Sequence, residues 1–331
     1  MENSFKISVV IPIFNEQENI IELIDRLETV LDQYQKYEII LVDDGSTDQS
    51  SQLVLQKAQI NKRVKLICLS RNFGHQQAIS AGLLNASGDA VITIDGDLQD
   101  PPEVIPSFID KWKSGYEVVY AVRTKRKENI FKKSAYFLFY RCLKILSQLD
   151  IPLDSGDFGL MDKRVVQIFN SLPEKNKFIR GIRTWIGFKQ AGVTYERHAR
   201  NAGKPKISLR SMVSFAMDGI TSMSTIPIRL STWVGGFFVL GSLGSILFVL
   251  HRKLYTDKVS TEGWTSSMIM MLFCFGIQFL IIGIHGQYLA RIFNEVKNRP
   301  QFIIRNMTNF SSEKNTKKEN KAQNNSFVDV A

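Results

Sequence analysis

Cysteine is scarce in the 331 residues: Cys68, Cys142 and Cys274 stand far apart, with no C-x-x-C spacing. That argues against a disulfide framework or a cysteine-based zinc site and fits a reducing, cytosolic setting. Histidine is nearly as rare. His75, His198, His251 and His285 have no i,i+4 or H-x-H partner, so they form no ligand set and are expected in core packing or at the surface. No G-x-S-x-G or P-loop sequence occurs, which removes serine hydrolase and Walker NTPase readings. The opening "MENSFKISVV" lacks the basic start and long apolar stretch of a signal peptide, so the N-terminal portion is expected to stay where it is made. No internal repeat is evident. Acidic residues are outnumbered, 32 Asp and Glu against 42 Lys and Arg, and the resulting +10 implies an anionic partner: nucleic acid, a phosphorylated substrate or lipid headgroups.

Charge is also missing locally. From Leu230 to Leu250 and from about Ser266 to Leu289 the chain runs without a charged residue, each time for about the 20 residues that cross ~30 Å of hydrocarbon. A buried core helix is the other reading of either run, but their length and pairing favour a two-span hairpin. Lys204, Lys206, Arg210 and Arg229 precede the first run, and Arg291, Lys297, Arg299 and Arg305 follow the second. By the positive-inside tendency both outer ends are cytoplasmic.

Residues 6 to 122 alternate short apolar strands with amphipathic helices, for example strand "KISVVIPIF" and then a helix with Ile20, Ile21, Leu23, Ile24, Leu27, Val30 and Leu31 on one side. This βαβ rhythm predicts a Rossmann-like, doubly wound, mostly parallel α/β sheet, whose ligands bind at the carboxyl ends of the strands. The polar clusters "NEQEN", "DDGSTD", "RNFGH" and "DGDLQDPPE" all follow strand ends. In the last of them Asp95 and Asp97 sit at i and i+2, on one face of a continuing strand. Two carboxylates that close repel unless a cation lies between them, so the pair is a candidate ligand set for Mg2+ or Mn2+, with positions left for a diphosphate. An Asp-rich turn closed by Pro101 and Pro102 is the plainer alternative. In "VDDGSTD", Gly45 suits an unusual turn, and Ser46 or Thr47 can cap the next helix.

The segments "IPIFNEQENI", "VDDGSTD", "RNFGHQQAISAGL" and "DGDLQDPPE", in this order and spacing, resemble the GT-A glycosyltransferases of family 2. "DSGDFGLMDKRVV", "RHARNAGKPKISLRSM" and "QYLARIFNEVKNRPQFII", with two spans between the last pair, are similar to the polyprenyl-phosphate glycosyltransferase branch, which includes dolichol-phosphate mannose synthases and GtrB-type bactoprenol glucosyltransferases. The resemblance covers about residues 6 to 305. It implies a GT-A catalytic domain over 1–208; the apolar stripe of Leu209, Met212, Val213, Ala216, Ile220 and Met223 is expected on an amphipathic juxtamembrane helix over 209–228, followed by the transmembrane hairpin over 229–292 and a cytosolic segment over 293–310, and the polar tail over 311–331 is expected to be disordered.

For the site, the resemblance implies nucleotide-sugar contacts by Pro12, Phe14, Glu16, Asp44, Asp95, Asp97, Gln99 and Arg123, with the metal on Asp95 and Asp97. Arg200 and Lys206 match a basic pair that holds acceptor or leaving phosphates, although Pro205 replaces the usual serine beside them. Asp157 matches the general base. A phosphate monoester has its second pKa at about 6, so a lipid phosphate needs little help from a base, and Asp157 is expected to orient the acceptor as much as to move a proton. The expected reaction is inverting transfer of a hexose, glucose from UDP-glucose by analogy, to a polyprenyl phosphate. Its setting is the cytoplasmic face of a bacterial plasma membrane, and the enzyme is expected to be a homo-oligomer, a tetramer being one form. A GDP-mannose enzyme of the dolichol type and a processive polysaccharide synthase are rivals. The latter usually carries Q-x-x-R-W and more spans, where this chain has "RGIRTWIGF". A membrane-tethered scaffold or nucleic-acid-binding module is the non-enzymatic rival, but no RNA-binding aromatic motif accompanies the basic charge, and no nucleic-acid partner is expected.

Overall fold

The structure is a computed structural model that describes residues 5–123, 155–175, 177–197, 224–255 and 263–310. The chain divides into two compact units, one of Met1–Asn129, Ile151–Lys206 and Pro300–Ala331, the other of Ile130–Asp150 and Ile207–Arg299.

The first unit is built on strands β1 (Lys6–Ile13), β2 (Lys36–Asp43), β3 (Val64–Leu69), β4 (Ala90–Thr93), β5 (Val118–Arg123), β6 (Ser155–Asp162), β7 (Gln190–Tyr195) and β8 (Ile304–Thr308). They form one sheet in the order β7-β5-β6-β4-β1-β2-β3-β8. Strands β1 to β3 and β4 on β1 pair in parallel, while β6 runs antiparallel between β4 and β5. β1, β2 and β4 are buried almost throughout, which their continuous Val and Ile content requires of strands covered on both faces. Helix α1 (Ile20–Leu31) buries Ile20, Leu23, Ile24, Leu27 and Leu31, the 3.6-residue stripe expected of it. Helices α2 (Ser50–Ile60), α3 (His75–Asn85), α4 (Ile105–Lys113), α5 (Lys163–Ser171) and α6 (Ile179–Trp185) complete this unit among the described residues. In α3, Gly82 packs so tightly on β1 that a Cβ there would lie 2.2 Å from a methyl of Val10.

From β1 the chain winds through β2 to β3 on one side, and β4 lies on the other. The winding reverses between β1 and β4, and it is at such a reversal that a crevice opens outside the strand ends. At the opposite end of the strands Glu38 is buried with Lys6 at 2.9 Å and Lys65 at 2.8 Å.

Three strands lie beyond those expected from the sequence. β8, within the 293–310 segment read as juxtamembrane, pairs antiparallel with β3 and closes that edge of the sheet. Asn309 fixes it there by donating to the carbonyls of Ala58 and Val64 at 2.6 and 2.8 Å.

The second unit contains α7 (Ile226–Tyr255) and α8 (Trp264–Val296), both long and apolar enough to cross a membrane. Tyr288 of α8 donates to the carbonyl of Ser224 at 2.7 Å. Their large apolar side chains point outward, Phe237 at 75% exposure, Leu240 at 71% and Phe279 at 71%. Such a continuous exposed apolar surface marks a membrane or protein contact. Residues 209–223 of the expected amphipathic helix and the 311–331 tail lie outside the described residues.

Candidate active site

Three loops interlock at the carboxyl ends of β1, β2 and β3. After β1, Asn15 takes a left-handed φ of 54°, and its backbone N–H donates to Ser46 Oγ at 3.0 Å while its own Oδ1 accepts from Thr47 N at 2.8 Å. After β2, Gly45 has φ 74° and touches the β3–α3 loop, where a Cβ would come within 2.7 Å of the Arg71 and Asn72 backbone. Glycine is the residue that tolerates both demands. Helix α2 begins at Ser50 after Gln49, so Ser46 and Thr47 do not cap it as expected; their polar groups are taken by Asn15 instead. Asp43 closes the same turn by accepting from Ser46 N at 3.0 Å and from the Ser51 hydroxyl. Asp44 reaches the third loop, accepting from the backbone N–H groups of Phe73 and Gly74 at 2.7 and 2.9 Å. Burial and the charge of Asp43 raise its carboxyl, while these two hydrogen bonds oppose the rise.

The loops frame a cleft lined by Pro12, Phe14, Glu16, Asp44, Asp95 and Asp97 together with Ile13, Asn72, Gly74, His75, Ala78 and Gly96. β4 ends at Thr93, so Asp95 and Asp97 stand in the turn beyond it, not on a continuing strand. The turn is tight: Leu98, buried, has φ 59°, and Gln99 N donates to Asp97 Oδ1 at 3.2 Å. A left-handed φ is costly for leucine, and burial of its side chain holds it there.

Beside the cleft lies a second cluster. Asp157 on β6 is 6% exposed, and Arg180 of α6 grips both its oxygens, Nε to Oδ1 at 2.9 Å and Nη2 to Oδ2 at 3.2 Å. Gln76 donates to Oδ2 at 3.1 Å and accepts from Ile179 N, at the start of α6, at 3.1 Å. His75 Nε2 lies 3.5 Å from both Asp157 Oδ2 and Asp95 Oδ1. Burial alone would raise the Asp157 carboxyl, but the Arg180 charge and the hydrogen bonds from His75 and Arg180 hold it well below the ordinary carboxylate range. At His75, whose side chain is 45% exposed at the mouth of the cleft, desolvation by the surrounding loops acts downward, yet the hydrogen bond to Asp157 and the charge of Asp95 outweigh it and lift the imidazole to about 9. Asp95 moves upward, from burial first and then from Asp100, Asp157 and Asp97, with His75 offsetting part. Asp97, Asp100 and Asp157 thus all act on Asp95, and two of the four carboxylates, Asp95 and Asp157, lie 3.5 Å from the imidazole. Among the described residues no three His, Cys, Asp or Glu side chains have the arrangement of a complete metal set. Asp95 and Asp97 are two carboxylates opening onto the cleft, the oxygen-donor chemistry that suits a hard cation whose remaining positions are filled by phosphates and water.

Comparison with known proteins then decides the family. Residues 8–169 match glycosyl transferase family 2, and the glycosyltransferase YkcC of Bacillus subtilis is 46% identical over 306 residues, 92% of this chain and 94% of that protein. The chain belongs to glycosyl transferase family 2. The bactoprenol glucosyl transferase of Shigella phage SfV is 38% identical over 308 residues, 91% of this chain and 98% of that protein. A solved structure, glucosyl-3-phosphoglycerate synthase of Mycobacterium tuberculosis with Mn2+, UDP and glucosyl-3-phosphoglycerate, gives a TM-score of 0.49 at 20% identity, covering 66% of this chain and 78% of that one.

In this family 2 chain, six of the sequence-predicted residues share the cleft, and Asp157 adjoins it through His75. Arg123, at the end of β5, is turned to another group: its Nε donates to Tyr195 Oη at 3.2 Å, and that hydroxyl donates to buried Asp100, which also meets Arg197 at 3.2 Å. Gln99 lies next to Asp97 through its backbone. Arg200 and Lys206 fall outside the described residues. Sequence reasoning missed His75, Gln76 and Arg180. The position of His75 and Gln76 directly after a strand-end cluster, in "RNFGHQ", was the available signal.

Proposed function

We propose that this family 2 enzyme moves a hexose, glucose from UDP-glucose, onto a polyprenyl phosphate at the cytoplasmic face of a bacterial plasma membrane, with inversion. The observation that carries the reading is the cleft itself: three interlocked loops converge with Asp95 and Asp97 where the sheet's winding reverses, in a chain that also has two exposed apolar helices. A bactoprenol glucosyl transferase alike along nearly its whole length supports the lipid acceptor.

Pro12, Phe14, Glu16 and Asp44 receive the nucleoside, and Asp44 also sets the loop that carries Gly74 and His75. Asp95 and Asp97 are the residues that would hold Mg2+ or Mn2+, and a cation there supplies Lewis-acid neutralisation of the leaving diphosphate. A phosphate oxygen of the lipid attacks the anomeric carbon from the face opposite the diphosphate; the new C–O bond forms as the old one breaks, and its electron pair leaves on the nucleoside diphosphate. Arg200 and Lys206 neutralise the acceptor phosphate. The two helices cross the membrane as a hairpin with both chain ends in the cytoplasm. Copies associate through Gly235, Gly236, Gly241 and Gly244, where a Cβ would meet nothing within 4 Å in a single chain.

The test is transfer of radiolabel from UDP-glucose, GDP-mannose and other nucleotide sugars to undecaprenyl phosphate by the detergent-purified chain, with Mg2+, Mn2+ or EDTA. Labelled lipid from UDP-glucose that EDTA abolishes is expected. Polymer, or no labelled lipid from any donor, overturns the assignment.

A further inference from the structure

Asp157 sits where a general base would be sought, but its lone pairs are engaged. The guanidinium of Arg180 covers both oxygens in a fork, at 2.9 and 3.2 Å, and Gln76 adds a third donor at 3.1 Å. The carboxylate is 6% exposed. To accept a proton it would have to give up part of a bidentate, charge-assisted pair and the Gln76 hydrogen bond that supports it. Gln76 reinforces the grip from the other side, because the same side chain receives the first N–H of α6 and so ties the helix carrying Arg180 to the first turn of α3. The guanidinium, in contrast, is partly open, at 21% side-chain exposure, and the neighbouring His75 lines the cleft.

Resting on the reading of the site as a transferase for a phosphate acceptor, we infer that Asp157 and Gln76 are positioning residues that lock Arg180 beside the cleft, and that Asp157 is not the proton acceptor of the transfer. An acceptor phosphate whose second pKa is about 6 arrives largely as the dianion at neutral pH, so the attacking oxygen has no proton to give up. What it needs is a fixed positive group on its path. A bidentate pair held at both ends supplies that with little reorganisation.

The inference is tested by a double-mutant cycle on the full-length, detergent-purified protein, using UDP-glucose and undecaprenyl phosphate. Asp157→Asn, Arg180→Gln, the double variant and Arg180→Lys are compared for kcat, for KM of each substrate and for UDP binding. Each neutralising single change is expected to lower kcat about a hundredfold while KM for UDP-glucose stays within about threefold. The double variant should be no worse than the poorer single one, and Arg180→Lys should recover part of the rate, since the charge remains and only the fork is lost. If Asp157→Asn costs the same factor in the Arg180→Gln background as in the wild type, the two residues act independently and the inference is overturned. Wild-type protein, in which nothing has to refold around a new side chain, gives a second measure. Single-turnover transfer is expected to run at the same rate in ordinary and heavy water, and a clear slowing in heavy water overturns the inference. A wild-type chain that labels no lipid at all overturns the functional reading and this inference with it, whereas labelled lipid with independent losses overturns the inference alone.

Discussion

Replacing Glu38 by glutamine removes one negative charge from the far end of the sheet, about 20 Å from the cleft residue Asp44 along β2 at 3.3 Å per residue. The carboxylate is 1% exposed and receives Lys6 at 2.9 Å, Lys65 at 2.8 Å, the Ser8 hydroxyl at 2.6 Å and the Ser87 N–H at 2.8 Å. Burial by itself would raise this group, but the hydrogen bonds from Lys65, Ser8, Lys6 and Ser87 outweigh it and bring the carboxyl from 4.5 to about 2. Folding therefore favours the ionised form by about 3 kcal/mol. The two lysines are 32% and 17% exposed and can turn to water when their partner is lost, so the expected loss for Glu38→Gln is about 2–3 kcal/mol, below the cost of breaking a fully buried pair. For a unit of this size that is a fall in Tm of about 5–10 °C. Because the group's folded value is depressed, its stabilisation is complete above about pH 4.5 and drains away as the pH falls toward 2. Unfolding of both proteins, followed by circular dichroism from pH 7 to pH 3, should show a gap in Tm that is constant at neutral pH and narrows in acid. Transfer by the variant at 25 °C should match wild type. A gap that keeps its full size at pH 3, or none at pH 7, refutes the reasoning.

Asp97→Ala is expected to lower metal-dependent transfer by at least about a hundredfold with the fold intact, read as labelled lipid against a thermal unfolding control; full activity removes Asp97 from the metal assignment. Gly45→Ala places a Cβ 2.7 Å from the Arg71 and Asn72 backbone at a φ of 74°, so it should cost about 1–3 kcal/mol and weaken UDP binding by calorimetry, since the displaced loop carries Gly74 and His75. Leu240→Arg, in the exposed apolar run of α7, should disfavour membrane insertion by about 2.5–3.5 kcal/mol, seen as loss of protein from the carbonate-resistant membrane fraction. Unchanged membrane recovery would count against α7 as a span.

The central strands were legible because each is a run of buried Val, Ile and Leu that stops at a polar cluster, and stacking such runs in parallel leaves the clusters together at one end. Hence the polar clusters could be placed together at one end before any contact was known, and the resemblance to family 2 singled out Pro12, Phe14, Glu16, Asp44, Asp95 and Asp97 among their residues. β6 hid because its two glycines and its aspartates break the apolar alternation, and β7 and β8 because edge strands have half-exposed, polar sequences. The Asp157 cluster was out of reach for a different reason. Gln76 is 81 positions from its partner and Arg180 is 23, and neither spacing belongs to any local motif. His75 looked like an isolated histidine because both of its carboxylates come from other strand ends. Asp44 was read for ligand contact alone, whereas its two oxygens also hold the backbone of the neighbouring loop.

Strand β8 makes the two long helices an interruption inside a single folded sheet: the chain leaves after residue 206, runs through α7 and α8, and from residue 300 supplies the strand paired with β3. A sheet cannot hydrogen-bond across a lipid bilayer, so if α7 crosses one, α8 must bring the chain back to the side on which β3 lies. A chain cut between α8 and β8 loses its last strand and bares the β3 edge.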